Sequence, residues 1–155
     1  MKQNIFNPLT MTRTSLLSVN PADSNLAVGY KSPHYSKWEK APHASSSFIG
    51  AGGIISTAAD LCKWDKALYT EEILCKSLLK ELFNPVISGY AMGWFIDGAK
   101  AYHGGDVSGF SSKILRNMDD KLLITLLSNF DGCRESNMGH YSDMVENLIL
   151  PTVKI

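Results

Sequence analysis

The residues best suited to chemistry lie in one glycine-rich stretch, residues 102–112, which reads Tyr-His-Gly-Gly-Asp-Val-Ser-Gly-Phe-Ser-Ser. The pattern predicts a strand that ends near His103, then a loop and a second strand. Glycines beside a histidine let a ligand or another backbone approach closely. They also suit a purely structural strand end that a neighbouring backbone approaches. His103 is therefore a candidate site residue, and packing is its alternative role.

Two further patterns have the spacing of catalytic groups. Ser77 and Lys80 fit Ser-x-x-Lys, and Ser18 and Asn20 fit Ser-x-Asn. A serine is a weak nucleophile and needs an adjacent base to lose its proton. The first pair is predicted on a surface helix, where ordinary helix composition produces the same spacing, and the second in a proline-flanked loop. We interpret both as chance matches, and the sequence contains no Tyr-x-Asn.

The elements that must position these residues fall into three segments. Residues 1–50 are predicted to be a loop-rich but ordered cover, because prolines interrupt long elements while aromatic residues recur. Residues 51–85 are predicted to form a helical pair. The first helix begins at a capping-box-like Thr57 and Asp60. The predicted apolar faces of the pair are Leu61, Trp64, Ala67 and Leu68, then Ile73, Leu74, Leu78 and Leu82.

Residues 90–150 are predicted to form an antiparallel sheet followed by a helix. Asp97 and Gly98 give a strong hairpin signal between strands 90–96 and 99–103. Residues 111–116 predict a further strand, and residues 121–128 predict one that is covered on both faces. The last helix is predicted to bury a stripe and to end before Pro151; the stripe is Tyr141, Met144, Val145 and Leu148. The fold class is α+β.

Composition excludes several classes of function. The 155 residues carry 15 basic and 15 acidic side chains without a basic cluster, so no nucleic-acid partner is expected. The longest apolar run, residues 122–127, is too short to span a membrane, which needs about 20 residues. No apolar segment follows Met1, so no signal peptide is predicted and the chain as it stands is expected to be cytoplasmic. The four histidines show no metal-ligand spacing, and no cofactor is expected.

The three cysteines, Cys62, Cys75 and Cys133, form no CxxC pair. Buried free thiols in a reducing compartment are one interpretation. A disulfide between Cys62 and Cys75 is the other, because the two lie on neighbouring predicted helices.

Five blocks in order resemble the C-terminal half of the serine β-lactamase and penicillin-binding-protein family, which includes class C β-lactamases and D-Ala-D-Ala peptidases. Each block alone is weak, but together they cover nearly the whole chain. The blocks are residues 6–14 (Phe-Asn-Pro-Leu-Thr-Met to Thr14, with Thr10 for the usual glycine), 26–30 (Leu-Ala-Val-Gly-Tyr), 52–64 (Gly-Gly-Ile-Ile-Ser-Thr-Ala-Ala-Asp-Leu to Trp64), 90–94 (Tyr-Ala-Met-Gly-Trp) and 103–112 (His-Gly-Gly to Gly-Phe-Ser-Ser).

The resemblance implies a C-terminal part of the β-lactamase/transpeptidase-like fold and an acyl-enzyme chemistry for the parent family. It assigns His103, Gly104, Gly105 and Asp106 to the Lys/His-x-Gly strand, which closes the substrate pocket. The basic side chain would meet a substrate carboxylate, and the Asp106 backbone N–H would be the remnant oxyanion donor. In the family, Ser-x-x-Lys and Tyr-x-Asn precede the first block. The catalytic set is therefore expected to be incomplete here, with the nucleophile absent.

Three accounts remain open at this point. The chain could be a truncated piece of such a hydrolase, inactive alone. It could be one half of a split enzyme whose partner is a complementary N-terminal half, or it could be a non-catalytic binding module. The sequence also predicts an exposed sheet edge at residues 121–128, which leads us to expect a homodimer through that edge or through the adjoining cleft face.

Overall fold

The structure is a computed structural model that describes residues 1–16, 26–32, 37–42, 50, 52–131 and 135–153. Within these ranges the elements are α-helices and antiparallel strands, which confirms the α+β class. After a short π-helix at Lys2–Phe6, the elements are β1 Ser15–Leu16, β2 Tyr30–Lys31, β3 Glu39–Lys40, β4 Ile54–Ile55, α1 Ala58–Ala67, α2 Lys76–Leu82, β5 Phe95–Asp97, β6 Lys100–Val107, β7 Phe110–Asn117, β8 Leu122–Ser128 and α3 Glu135–Val153.

The main sheet has four strands in the order β5-β6-β7-β8. The predicted hairpin is confirmed, since β5 pairs antiparallel with β6 and Gly98 takes a positive φ of 56° in the turn. β5 is shorter than predicted, because Gly93 has a φ of 81° and bends the chain before Phe95. β6 is longer than predicted. It runs to Val107, so His103 lies inside the strand rather than at its end.

Contact clustering divides the chain into two compact units. The first consists of Met1–Leu16, Ile54–His103 and Leu115–Leu123, and the second of Leu17–Gly53, Gly104–Ile114 and Ile124–Ile155.

The first unit has an apolar core made by the N-terminal segment and α1. Phe6, Leu9 and Met11 are each at most 6% exposed and pack with Ala67. Trp94, 3% exposed, stacks on the Trp64 ring with centroids 5.6 Å apart. The predicted inner face of α1 is thus confirmed at Ala67, and the buried Trp94 ring packs in the same unit.

Asp60 connects α1 to the N-terminal segment. The Thr57 hydroxyl accepts from the Asp60 N–H at 3.3 Å, as the predicted cap requires. The Asp60 carboxylate, however, accepts from the Arg13 N–H, the Thr14 hydroxyl and the Lys63 ammonium at 2.8–2.9 Å. Burial raises the pKa of Asp60, but these three donors outweigh it and hold the pKa below its usual value.

The predicted stripe on α2 is only partly correct. Leu78 is 48% exposed, and no residue of this seven-residue helix is buried. Ile73, which precedes the helix, packs on the core of the first unit. Cys62 and Cys75 are free thiols, and Cys75 is exposed rather than buried. Cys133 lies outside the described residues.

In the second unit, β2 pairs with β3. Tyr30 of β2 and Val28 just before it form hydrogen bonds with the residues that follow β8. The Tyr30 N–H donates to the Asn129 carbonyl at 2.9 Å, and the Asp131 N–H donates to the Tyr30 carbonyl at 3.2 Å. The Asn129 side chain also donates to the Val28 carbonyl at 2.8 Å. The prediction that β8 is covered on both faces is wrong at Leu127, which is 50% exposed.

The last helix begins earlier and ends later than predicted, at Glu135 and Val153, so it includes Pro151. The predicted buried stripe is wrong. Tyr141, Met144 and Leu148 are 50%, 49% and 73% exposed, whereas Met138, Ser142 and Glu146 are at most 4% exposed. Ser142 tolerates burial because its hydroxyl donates to the Gly139 carbonyl at 2.7 Å.

Among the described residues, no helix combines the length and the apolar character needed to cross a bilayer.

Candidate functional site

His103 is half-buried on β6 and is held by two side chains of its own unit. The Tyr90 hydroxyl lies 3.2 Å from His103 Nε2, within hydrogen-bonding distance. The Phe95 ring stacks on the imidazole with centroids 5.9 Å apart and an interplanar angle of 25°. Nε2 of the imidazole therefore has a hydrogen-bond partner, and the stacked Phe95 ring restricts rotation of the imidazole.

The residues around His103 form an aromatic cluster, which we define as Tyr90, Phe95, Tyr102 and His103. Tyr90 meets Phe95 edge-on at 4.7 Å, and Phe95 stacks on Tyr102 at 5.6 Å. Tyr90 and Phe95 are 36% and 38% exposed, so the cluster reaches the surface. The sequence patterns identified neither Tyr90 nor Phe95 as a neighbour of His103. The sequence block at residues 90–94 contains Tyr90 and was the available signal. No local pattern in the sequence indicates that Tyr90 contacts His103.

The remaining predicted site residues belong to the second unit. Gly105 and Asp106 are exposed on β6, and the Ser112 hydroxyl donates to the Gly105 carbonyl at 3.3 Å. A side chain added at Gly105 would meet no atom within 4 Å. The backbone at Gly105 is therefore open to close approach, as the glycines predict.

The turn after β6 is held by a residue that sequence reasoning missed. The Gly109 N–H donates to Asp131 Oδ2 at 3.2 Å. Gly109 has a φ of 84°, and its backbone lies against that of Gly29. This turn leads from β6 to β7 and so fixes where the Gly104–Asp106 stretch ends.

Of the two chance matches, the structure describes the one at Ser77 and Lys80. Ser77 lies on α2, where its hydroxyl is 3.1 Å from the Cys75 sulfur. The hydrogen bonds from Ser77 and from the Leu78 backbone lower the pKa of the exposed Cys75 thiol. Ser18 and Asn20 lie outside the described residues, as do His34 and His43. His140 and Tyr141 lie inside α3.

Within the part of the chain that the structure describes, no group of three or more His, Cys, Asp or Glu side chains is arranged to hold a metal ion.

Comparison with known proteins gives a consistent result. "Putative penicillin-binding protein PbpX" of Bacillus subtilis (strain 168) is 24% identical over 150 residues, which is 96% of this chain but 38% of that protein. The octameric penicillin-binding protein homologue from Pyrococcus abyssi superposes with a TM-score of 0.74 at 23% identity, over 83% of this chain and 32% of that one. FmtA from Staphylococcus aureus gives 0.74 at 20% identity, over 93% and 42%.

The structural matches establish the fold, and the chain spans about two fifths of the length of the relative PbpX. The family model described as Beta-lactamase matches residues 1–141, which is most of the sequence. The resemblance seen in the five sequence blocks is confirmed, and this chain belongs to the beta-lactamase family.

Proposed function

We propose that the chain is the C-terminal part of a serine hydrolase that cleaves amides or esters through an acyl-enzyme. His103, Gly104, Gly105 and Asp106 on β6 form its remnant substrate-binding strand. The 155 residues together are proposed to act as one partial domain, with segments 1–50, 51–85 and 90–150 as its parts. The observation that carries the proposal is the placement of His103, which is half-buried on a strand and held by Tyr90 rather than packed in the core.

The chemistry assigned to each residue follows from its group. An imidazole at a partly exposed position can donate a hydrogen bond to a carboxylate of the substrate. The resemblance to the family assigns the Asp106 backbone N–H to the oxyanion, and backbone N–H groups are donors that stabilise one. An oxyanion donor lowers a barrier only when a nucleophile attacks. The one Ser-x-x-Lys in the sequence has its serine beside Cys75 on α2.

The first prediction is that the 155-residue protein binds a β-lactam weakly and without covalent attachment. Adding millimolar benzylpenicillin to ¹⁵N-labelled protein should shift the amide signals of residues 103–106, while the intact mass stays unchanged. Ser77→Ala should behave like the wild type in both measurements. A stoichiometric adduct that disappears in Ser77→Ala would overturn the assigned inactivity. Signal shifts confined to other strands would overturn the site.

A proposed partner of this chain is a complementary N-terminal half, a polypeptide that supplies Ser-x-x-Lys and Tyr-x-Asn. The relatives support this inference, because the matched region covers 32–42% of the two structures compared above. Co-expression with a candidate N-terminal half should restore ester hydrolysis, and His103→Ala in this chain should then reduce it. A pure interaction module would show binding to other proteins without this dependence on His103.

A homodimer through the β8 edge is the second proposal about partners. β8 is the last strand of the four-stranded sheet among the described residues, and Leu127 is half exposed on it. Unpaired strand edges offer N–H and C=O groups to a second chain. Among the described residues, the backbone hydrogen bonds of Tyr30 reach Asn129 and Asp131, which follow the strand.

The second prediction tests this edge by light scattering at micromolar concentration. The wild type should have the mass of a dimer, and Leu127→Lys should shift it toward the monomer, because a charge at an edge opposes pairing. Leu148→Lys, which places the same charge at a more exposed leucine on α3, is the control and should leave the dimer intact. A monomeric wild type would reject edge pairing.

A further inference from the structure

The hydroxyl of Tyr90 meets His103 in a way that the proposed binding role of His103 does not require. Tyr90 Oη and His103 Nε2 are 3.2 Å apart. The imidazole cannot easily turn away, because Phe95 stacks on it at 5.9 Å and Phe95 is itself held between Tyr90 and Tyr102. Within the described part of the chain, His103 Nδ1 has no hydrogen-bond partner. The two ring nitrogens therefore stand in different environments.

The chemistry of the two groups decides which one donates. A neutral imidazole has one N–H and one basic nitrogen, whereas a phenol can donate or accept. The imidazole nitrogen is the more basic atom of the pair, and the phenol O–H is the stronger donor. The favoured arrangement is therefore Tyr90 O–H donating to His103 Nε2. The hydrogen bond that one ring nitrogen makes sets which nitrogen carries the proton, so this arrangement places the proton of neutral His103 on Nδ1.

We infer that Tyr90 is a positioning residue, which keeps His103 Nδ1 protonated when the imidazole is neutral as well as when it is charged. His103 would then offer an N–H from Nδ1 to a carboxylate or carbonyl oxygen without having to gain a proton first. The identity of that ligand rests on the proposed function. The tautomer itself does not, because it follows from the contacts among Tyr90, Phe95 and His103.

The test is a long-range ¹H–¹⁵N spectrum of the labelled protein, recorded at a pH where the His103 signals have reached their neutral limit. His103→Gln identifies the signals. Tyr90→Phe keeps the ring and removes the hydroxyl, and it should raise the Nε2–H population relative to Nδ1–H by about two- to tenfold, the factor that one net hydrogen bond is worth. Tyr102→Phe removes the hydroxyl of the neighbouring tyrosine in the same cluster and should leave the ratio unchanged.

The inference is wrong if Tyr90→Phe leaves the tautomer ratio of His103 as it is in the wild type, or moves it toward Nδ1–H. An equal change in Tyr102→Phe would also reject it, because the effect would then come from general loosening of the aromatic cluster. The benzylpenicillin titration remains a separate measurement. Failure to perturb His103 there would remove the proposed binding role and leave the tautomer result standing.

Discussion

Asp65→Leu should lower the free energy of unfolding by about 3–5 kcal/mol, the usual cost of removing one partner from a buried ion pair. Asp65 Oδ1 lies 2.7 Å from Arg116 Nε, and the two side chains are 5% and 1% exposed. Burial raises the pKa of Asp65, and the adjacent Arg116 charge offsets this only in part. Without Asp65, the guanidinium would keep its charge in a site that excludes water.

Three aromatic rings lie against the guanidinium of Arg116. Its guanidinium carbon lies 4.6 Å from the Tyr69 ring centroid, 4.8 Å from that of Phe83 and 5.9 Å from that of Trp94. Aromatic faces attract a cation but do not replace a carboxylate. Among the described residues, Arg116 Nη1 also has no hydrogen-bond acceptor. Among the described residues, Asp65 is the ion-pair partner that the structure gives this guanidinium.

Urea denaturation of Asp65→Leu, Arg116→Met and the double variant measures this effect. The double variant should be more stable than Asp65→Leu alone, because it leaves neither charge buried. Glu81→Gln, which neutralises an exposed carboxylate on α2, is the control and should change stability by less than about 0.5 kcal/mol. A loss below about 1 kcal/mol in Asp65→Leu would mean that water or another group reaches Arg116 after all.

Gly109→Ala is the second large effect that we expect. Gly109 has a φ of 84°, and a Cβ there would lie 2.5 Å from Ala41 Cβ and 2.9 Å from Gly29 Cα. The positive φ and the overpacking each cost about 1–3 kcal/mol. Neither neighbour can move aside cheaply, because one is backbone and the other is a Cβ. The turn between β6 and β7 should therefore open, and the unfolding midpoint should fall.

Two glycine variants separate the causes. Gly93→Ala tests a positive φ alone, since Gly93 has a φ of 81° with no atom within 4 Å of an added Cβ. Gly105→Ala tests neither cause, because that position has open space and no positive φ. The expected order of destabilisation is Gly109→Ala, then Gly93→Ala, then Gly105→Ala. Equal losses for Gly109→Ala and Gly93→Ala would show that the packing against Gly29 and Ala41 contributes nothing.

Local patterns were enough to predict much of this architecture. The Asp97-Gly98 turn, the Thr57 cap and the apolar runs of β7 and β8 predict the right elements in the right order. Each depends on residues within about four positions of one another, where propensity and turn chemistry act. The five sequence blocks also predict the family correctly, because they occur in the family's order although the chain is only 24% identical to the relative PbpX.

Local patterns failed where the answer depended on distant partners. The apolar stripe of α3 is plain in the sequence, yet Leu148 is 73% exposed and Glu146 is 2% exposed. Periodicity describes a helix but not which side the rest of the chain covers. For the same reason, the sequence patterns wrongly predict that Leu78 on α2 and Leu127 on β8 are buried.

By itself, the sequence determined the fold class, the family and the position of His103 beside two glycines. Only the tertiary structure decided what each charged or polar group meets: Asp60 with Arg13 and Thr14, Asp65 with Arg116, and Tyr90 with His103. These partners lie 13 to 51 residues apart along the chain. Their pairing is set by which faces pack together and by the need to satisfy buried polar groups, and no short window of sequence contains that information.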